Sequence, residues 1–279
     1  MKDLTPDVVN DTGCAQIPLA NAGLKLTEIE SFSVWQNDEF RWVQEGEAIQ
    51  SIMSRESPNE LVLPTHRYMF VALAMAEFQS GAPTRLLNLG FGLGAIERKL
   101  AACSAKVRVT SVEASEAIVG IAKQYFFVDA TAEVKVTSAE AFIAATNAKF
   151  DVVMIDLFAE ATNAPCLYER EFYARLGQCV NDDAWLALNV IPRNEKDLLA
   201  MLLPLRENFA SVAMATIPDR KNIVLLVGKS WAEEELPEIK TRVEKFGFDV
   251  RQLRDRFTLL PRANQLGHHQ VIEKNNTNV

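Results

Sequence analysis

Leu86-Leu87-Asn88-Leu89-Gly90-Phe91-Gly92-Leu93-Gly94 decides how this 279-residue chain folds. A short apolar run reads as a buried strand that feeds three glycines at alternate positions, and from Ala95 the pattern turns helical. Glycine lets a backbone approach a ligand closely. The first turn of a helix leaves N–H groups unpaired. Gly90, Gly92 and Gly94 therefore mark a candidate nucleoside site, although a tight strand-to-helix turn alone explains the same residues. The spacing is G-x-G-x-G, not the G-x-G-x-x-G of pyrophosphate cradles. It favours a nucleoside with an amino-acid-like tail over a dinucleotide.

Strand and helix patterns alternate outward from this loop. Strands are expected at Arg85–Leu89, Val107–Val112, Val134–Val136, Asp151–Ile155 and Trp185–Val190. Helices are expected at Ala95–Cys103, Ser115–Phe126, Ala139–Thr146, Glu169–Cys179 and Glu195–Asn208. Short apolar strands between amphipathic helices imply a parallel sheet covered on both faces. The last two strands, Ser211–Ile217 and Ile223–Gly228, are joined by only Pro218 to Asn222. That link is too short for a parallel crossover, so the pair reads as an antiparallel hairpin. A parallel sheet closed in this way is the class I methyltransferase-like (Rossmann-like) α/β arrangement.

Upstream, Pro64 suits a first helical turn, and Met69, Phe70, Leu73 and Glu77 place a helix over 65–79, ended by Gly81-Ala82-Pro83. Phe32–Trp35, Phe40–Val43 and Ala48–Ile52 read as three strands of a small N-terminal antiparallel unit with turns at Gln36–Glu39 and Glu45–Glu47. Residues 1–27 read as polar and irregular. The expected division is a tail and β unit over 1–63, a nucleoside-binding domain over 64–230, and an extension over 231–279. That extension holds a helix near 232–246, a strand, and a polar tail that is disordered over Glu273–Val279.

Two carboxylates stand at expected strand ends. Glu113 lies 23 residues after Gly90, placed to accept hydrogen bonds from both ribose hydroxyls. An acid favoured by a helix N-terminus is the plainer alternative. Asp156, followed by Leu157-Phe158, ends the fourth core strand, at the edge where open α/β sheets bind ligands. It is suited either to hold an acceptor amine and take its proton or to cap a loop.

Composition narrows the partners. The formal net charge is −8, which argues against nucleic acid as main partner and suits a small cationic substrate or simple solubility. Cys14, Cys103, Cys166 and Cys179 form no C-x-x-C pair, and three histidines offer no readable metal site. Scattered cysteines suit a reducing compartment. The N-terminus shows no signal-peptide pattern. The longest apolar run, Tyr68 to Ala76, is too short for a membrane span of about 20 residues. A cytoplasmic protein is expected.

Several stretches, in order, resemble the spermidine synthase (polyamine aminopropyltransferase) family, particularly its bacterial spermidine-synthase-like branch, over about residues 31–230. Gly46-Glu47-Ala48-Ile49-Gln50-Ser51 is similar to the family strand ending in Asp-Gly-x-x-Gln. The glycine loop and Val112-Glu113-Ala114-Ser115 resemble its cofactor-binding segments. Asp151-Val152-Val153-Met154-Ile155-Asp156 resembles the strand ending in the catalytic aspartate, and Leu167-Tyr168-Glu169-Arg170-Glu171-Phe172-Tyr173 resembles the L-F-x-x-E-F-Y helix. Thr216-Ile217-Pro218 resembles the turn before the last strand.

The resemblance implies a transferase that binds S-adenosylmethionine, decarboxylated S-adenosylmethionine or methylthioadenosine, with no metal. Cofactor contacts fall on Gly90, Phe91, Gly92, Leu93, Gly94, Glu113 and Ala114, on Ser138 and Ala139 near the adenine, and on Asp156 and Phe158. Asp156 is the catalytic candidate, and Gln50 and Tyr168 are the substrate candidates. The transferred group is aminopropyl or methyl, the acceptor an unidentified small molecule, and a homodimer through the N-terminal β unit is implied, since a three-stranded unit cannot bury its apolar residues alone. The chain departs from the family where Leu93 replaces the acid that holds the cofactor's amine. Ser138 stands for the adenine-facing acid, and Ala159 for the second acid of the D-x-x-D motif. The family's tyrosine and histidine or glutamine have no clear match in Thr65-His66-Arg67-Tyr68. These losses favour a substrate other than a polyamine, or a catalytically degenerate cofactor-binding or interaction protein of the same fold.

Overall fold

The computed structural model describes residues 23–46, 48–76, 83–103, 106–159, 162–209, 211–229, 236–239 and 246–261. The expected helix near 232–246 lies largely outside these residues, as do Gly81, Ala82, Cys14 and the polar tail.

An antiparallel meander opens the described chain: β1 (Leu24–Ile29), β2 (Phe32–Gln36), β3 (Phe40–Glu45) and β4 (Ala48–Ser54), in that spatial order. Asn37 closes the β2–β3 turn, its Oδ1 accepting the N–H groups of Glu39 at 3.0 Å and Phe40 at 2.7 Å. Four strands stand where three were expected. β1 begins inside the stretch read as irregular, because no residue of it is fully buried and its apolar alternation is weak.

The main sheet is built from β5 (Thr84–Leu89), β6 (Val107–Glu113), β7 (Val134–Val136), β8 (Phe150–Ile155), β11 (Val180–Val190), β12 (Ser211–Thr216), β13 (Ile223–Gly228) and β14 (Thr258–Leu259). A minor pair, β9 (Phe158–Ala159) and β10 (Thr162–Asn163), follows β8. The strand order is β14-β12-β13-β11-β8-β5-β6-β7. The five strands from β11 to β7 run parallel. β13 is antiparallel to both β11 and β12, so the terminal hairpin is as the short link required. β14, in the extension where a strand was expected, adds an antiparallel edge. β11 begins five residues earlier than expected. Its start carries exposed Asp182 and Asp183, and its register with β8 shifts between Val180 and Trp185.

Successive residues of the central strands feed two cores, as the two-residue period of a strand demands. Leu86, Val152, Met154, Ala187 and Leu226 face α1 (Pro64–Met75), α2 (Ala95–Ala102) and α7 (Val250–Arg254). Leu87, Val153, Ile155, Leu186 and Leu225 face α4 (Ala139–Ala145), α5 (Arg170–Gln178) and α6 (Glu195–Arg206). α1 stops at Met75 rather than 79, where Ala76 turns extended. Its long apolar run is buried helix, and no helix among the described residues is long and apolar enough to cross a membrane.

The N-terminal sheet is not left to itself. Val34, Val43 and Met53 share a core with Phe91 and Leu93 of the glycine loop and with Ile118, Ile121 and Ala122 of α3 (Glu116–Tyr125). Its apolar face is thus covered within one chain.

Candidate active site

The carboxyl ends of β6, β5, β8 and β11 open onto one cavity of about 470 Å³, roofed by the N-terminal sheet. Gly90, Phe91, Gly92, Leu93, Glu113, Ala114, Asp156, Phe158 and Gln50 all line it. Gly94, Ser138, Ala139 and Tyr168 do not stand in that lining.

Close packing of backbones fixes the glycine loop. Gly90 adopts φ +93°, and a Cβ there would come within 2.1 Å of the Asp156 carbonyl oxygen. Only glycine lets β5 and β8 end side by side. Gly92 points into open space, with nothing within 4 Å of a built Cβ. Gly94 backs the loop instead, against Val128 and the Phe91 ring. The N–H groups of Gly90 and Phe91 both donate to the Val112 carbonyl at 3.0 Å. The buried Arg98 guanidinium donates to the carbonyls of Leu93 and Pro58, tying the loop to the segment before α1. Burial lowers the pKa of Arg98 to about 10.

Glu113 is held by two backbone donors. Its Oε2 accepts the Gly92 N–H and its Oε1 the Ser115 N–H, both at 3.0 Å. A carboxylate offers about four acceptor positions, so two are left beyond these bonds. Ser115 caps α3 by accepting the Ile118 N–H at 3.2 Å. Ser138 caps α4 in the same way through the Ala141 N–H, exposed, one residue beyond Thr137, whose N–H reaches the Glu113 carbonyl. Ala139 is buried in the core beneath.

Asp156 sits inside a chain of side-chain hydrogen bonds assembled from four distant segments. Its Oδ2 lies 3.1 Å from Nε2 of His66, near the start of α1. Its Oδ1 accepts Nδ2 of Asn189 in β11 at 2.8 Å. The Asn189 Oδ1 in turn accepts Nδ2 of buried Asn222, just before β13, at 2.9 Å. His66, Asn189 and Asn222 line the cavity. Sequence reading did not single out Asn189 or Asn222. The available signal was a polar residue ending the apolar run Leu186-Ala187-Leu188 and another directly before Ile223.

Gln50 lines the cavity from β4 and donates to Glu45 Oε2 at 3.1 Å. Tyr168 sits behind the wall. Its hydroxyl donates to Asp197 Oδ1 at 3.2 Å and accepts from Asn163 Nδ2 at 3.3 Å. Asn163 clamps the backbone of Ile191, which does line the cavity. Leu93 is buried and also lines the cavity, whereas Ala159 is exposed on β9. Among the described residues no group of three or more His, Cys, Asp or Glu converges as a metal site.

The spermine/spermidine synthase domain family model matches residues 66–239. A probable polyamine aminopropyl transferase of Bifidobacterium longum is 30% identical over 128 residues, covering 45% of this chain and 28% of that protein. The chain spans less than half the length of the curated relatives it matches. A probable spermidine synthase from Corynebacterium glutamicum superposes with a TM-score of 0.65 at 19% identity, over 77% of this chain and 82% of that one. Human methyltransferase-like protein 13, in complex with SAH, superposes at 0.54 with 20% identity, over 68% of this chain and 90% of that one.

Proposed function

The chain belongs to the spermine/spermidine synthase family, and from that premise we propose that it is a transferase. It binds an adenosyl sulfonium compound, S-adenosylmethionine or its decarboxylated form, and passes an aminopropyl or methyl group to a small amine acceptor. The observation that carries this reading is one cavity lined by both Glu113, each oxygen of which takes one backbone N–H, and Asp156, gripped on both oxygens.

The residues present fit such a nucleoside. Glu113 accepts the two ribose hydroxyls, and Gly92 leaves room beside it. Phe91, Ala114 and Ile118 supply apolar surface for the base. When bound, the sulfonium supplies an electrophilic carbon, its C–S bond electrons passing to sulfur as the acceptor nitrogen forms the new C–N bond. Asp156 orients the acceptor amine and receives the proton that the nitrogen must lose. His66 and Asn189 hold the carboxylate so that one orientation is presented, which is the role of a preorganised base. The glycine loop, the N-terminal sheet and Leu63 supply apolar wall to the same cavity. Buried reduced cysteines at 103, 166 and 179 suit the cytoplasm, which belongs to the same reading.

The test is side-by-side calorimetry with S-adenosylmethionine, decarboxylated S-adenosylmethionine and methylthioadenosine, followed by turnover assays with 1,4-diaminobutane and other amines. Micromolar binding with product formation from some acceptor supports the transferase. Binding without turnover for any acceptor supports the degenerate alternative. Spermidine formation is expected to be slow, because Ala159 offers no carboxylate to a second ammonium.

A further inference from the structure

The terminal hairpin reaches into the site. β13 runs against β11, so its amino end lies beside the carboxyl end of β11, with Val190 opposite Ile223 and Asn189 opposite Val224. β8, which Asp156 follows, lies on the other side of β11. Asn222, directly before β13, is held there by its backbone, whose carbonyl accepts the Ile217 N–H at 3.2 Å. Its side chain is buried and lines the cavity. Asn189 bridges the two: its Nδ2 reaches Oδ1 of Asp156 and its Oδ1 takes Nδ2 of Asn222.

An amide side chain can turn either its oxygen or its nitrogen toward a neighbour. Here one end dictates the choice. An ionised Asp156 only accepts, so Asn189 must present Nδ2 to it, at 2.8 Å. The Asn189 oxygen then faces the hairpin, where only a donor fits, and Nδ2 of Asn222 supplies one at 2.9 Å. An acceptor-only carboxylate also requires the hydrogen to sit on Nε2 of His66, 3.1 Å from Oδ2. Every donor in the chain therefore points at Asp156. The far end bears the consequence, since Oδ1 of Asn222 is buried without a hydrogen-bond partner. An unpaired buried acceptor costs stability, but reversing the Asn222 amide would set its oxygen against that of Asn189.

We propose that Asn222 is a positioning residue for Asp156: acting through Asn189, it fixes which end of each amide faces the carboxylate and so holds Asp156 as a charged, acceptor-only group. This rests on the reading of Asp156 as the group that receives the acceptor's proton. Hydrogen bonds aligned in one direction polarise one another, so the Asn222 donor strengthens the grip of Asn189 without touching Asp156. Without that donor, Asn189 has no reason to keep its nitrogen toward the carboxylate beyond the contact itself, and its oxygen is left unpaired in the interior. The carboxylate then loses its fixed direction, which is what a preorganised base requires.

The experiment is a double-mutant cycle on the full chain, read by urea unfolding at neutral pH. Asn222→Asp keeps the shape of the side chain but replaces its donor with a second acceptor. The single Nδ2 of Asn189 then faces two carboxylates and serves one, so the unfolding equilibrium constant should rise about 10-fold or more. Adding Asp156→Asn moves the charge to the hairpin end and lets the chain reverse. Asn189 donates to the new acid, and the amide at 156 donates to Asn189 while its oxygen still meets His66. The double variant should therefore be about 10-fold more stable than the two single effects predict when added. Asn222→Leu, which removes the amide and adds no acceptor, should show no such rescue by Asp156→Asn. If Asn222→Asp does not fold, folding of the double variant is the same result. In transfer assays Asn222→Leu should lower kcat and leave KM unchanged, Asn222→Ser, which keeps a donor, should retain more of kcat, and the double variant should regain stability without activity. Additive stabilities, a double variant that fails to fold, or wild-type kcat in Asn222→Leu overturns the positioning role. Absence of transfer by wild type to any acceptor overturns the reading of Asp156 as a base, while the stability cycle still judges the directed chain.

Discussion

Nε2 of His66 and Oδ2 of Asp156 lie 3.1 Å apart although the residues are separated by 90 positions. His66 sits in the first turn of α1 and Asp156 directly follows β8, so the contact joins these two elements inside the cavity. Asn189 grips the other Asp156 oxygen, so the carboxylate has both a fixed direction and neighbours from opposite sides.

Removing the Asp156 charge tests the base directly. Asp156→Asn should lower turnover by about 100-fold or more, in the range of general-base losses, with nucleoside affinity within about 3-fold of wild type. Asn189→Leu should also lower turnover and should destabilise the fold by roughly 1–3 kcal/mol, because buried Asn222 loses its acceptor. Single-turnover kinetics and urea unfolding read the two effects separately. Full activity in Asp156→Asn would remove Asp156 from the mechanism.

Glu113 should anchor the ribose. Glu113→Ala loses hydrogen bonds to a charged acceptor worth roughly 1.5–3 kcal/mol each. Methylthioadenosine affinity should therefore fall on the order of 100-fold by calorimetry, with the circular dichroism of the folded protein retained. Unchanged affinity for every nucleoside tested would refute the role.

Leu93 bears on the nucleoside's tail. It neither attracts an ammonium nor repels a carboxylate, so S-adenosylmethionine or methylthioadenosine should bind at least as well as decarboxylated S-adenosylmethionine. Leu93→Asp should move the preference toward the decarboxylated compound. It should also lower thermal stability, since Leu93 packs with Val34, Val43 and Met53. Competition calorimetry on both proteins decides this, and a wild-type preference for the decarboxylated form counts against it.

A buried carboxyl beneath the loop links stability to pH. Glu97 Oε1 accepts from Asn88 Nδ2 at 2.8 Å and Ser111 Oγ at 2.5 Å, while Glu97 Oε2 and Asn88 Oδ1 are buried without a partner. Burial raises the Glu97 pKa above its ordinary 4.5, against the opposing hydrogen bonds. The folded state thus holds the proton more tightly than the unfolded chain. This contribution to stability is complete below 4.5 and is lost as pH rises through the raised folded value. Glu97→Gln should flatten the decline in unfolding free energy as pH rises above 4.5, measured by urea titration. An unaltered pH profile in the variant would show that Glu97 does not carry it.

Subunit pairing through the N-terminal sheet remains a proposal from family membership. Its physical motive is reduced, because Val34, Val43 and Met53 are already covered by Phe91 and Leu93. Sedimentation equilibrium at micromolar concentration should give a dimer. If it gives a monomer at all concentrations, the pairing is discarded.

The sequence by itself determined the order of strands and helices, the terminal hairpin and the glycine loop, because these follow from apolar periodicity, glycine placement and link length within short windows. It placed Glu113 and Asp156 at strand ends for the same reason. It missed β1, whose pairing partner supplies what its own alternation lacks. Only the tertiary structure decided that His66, Asn189, Asn222 and Arg220 share the cavity with Asp156, and that Tyr168 stands behind it. Those residues come from segments tens of positions apart. Their meeting is set by sheet order and by the reversed direction of β13, which no local pattern encodes.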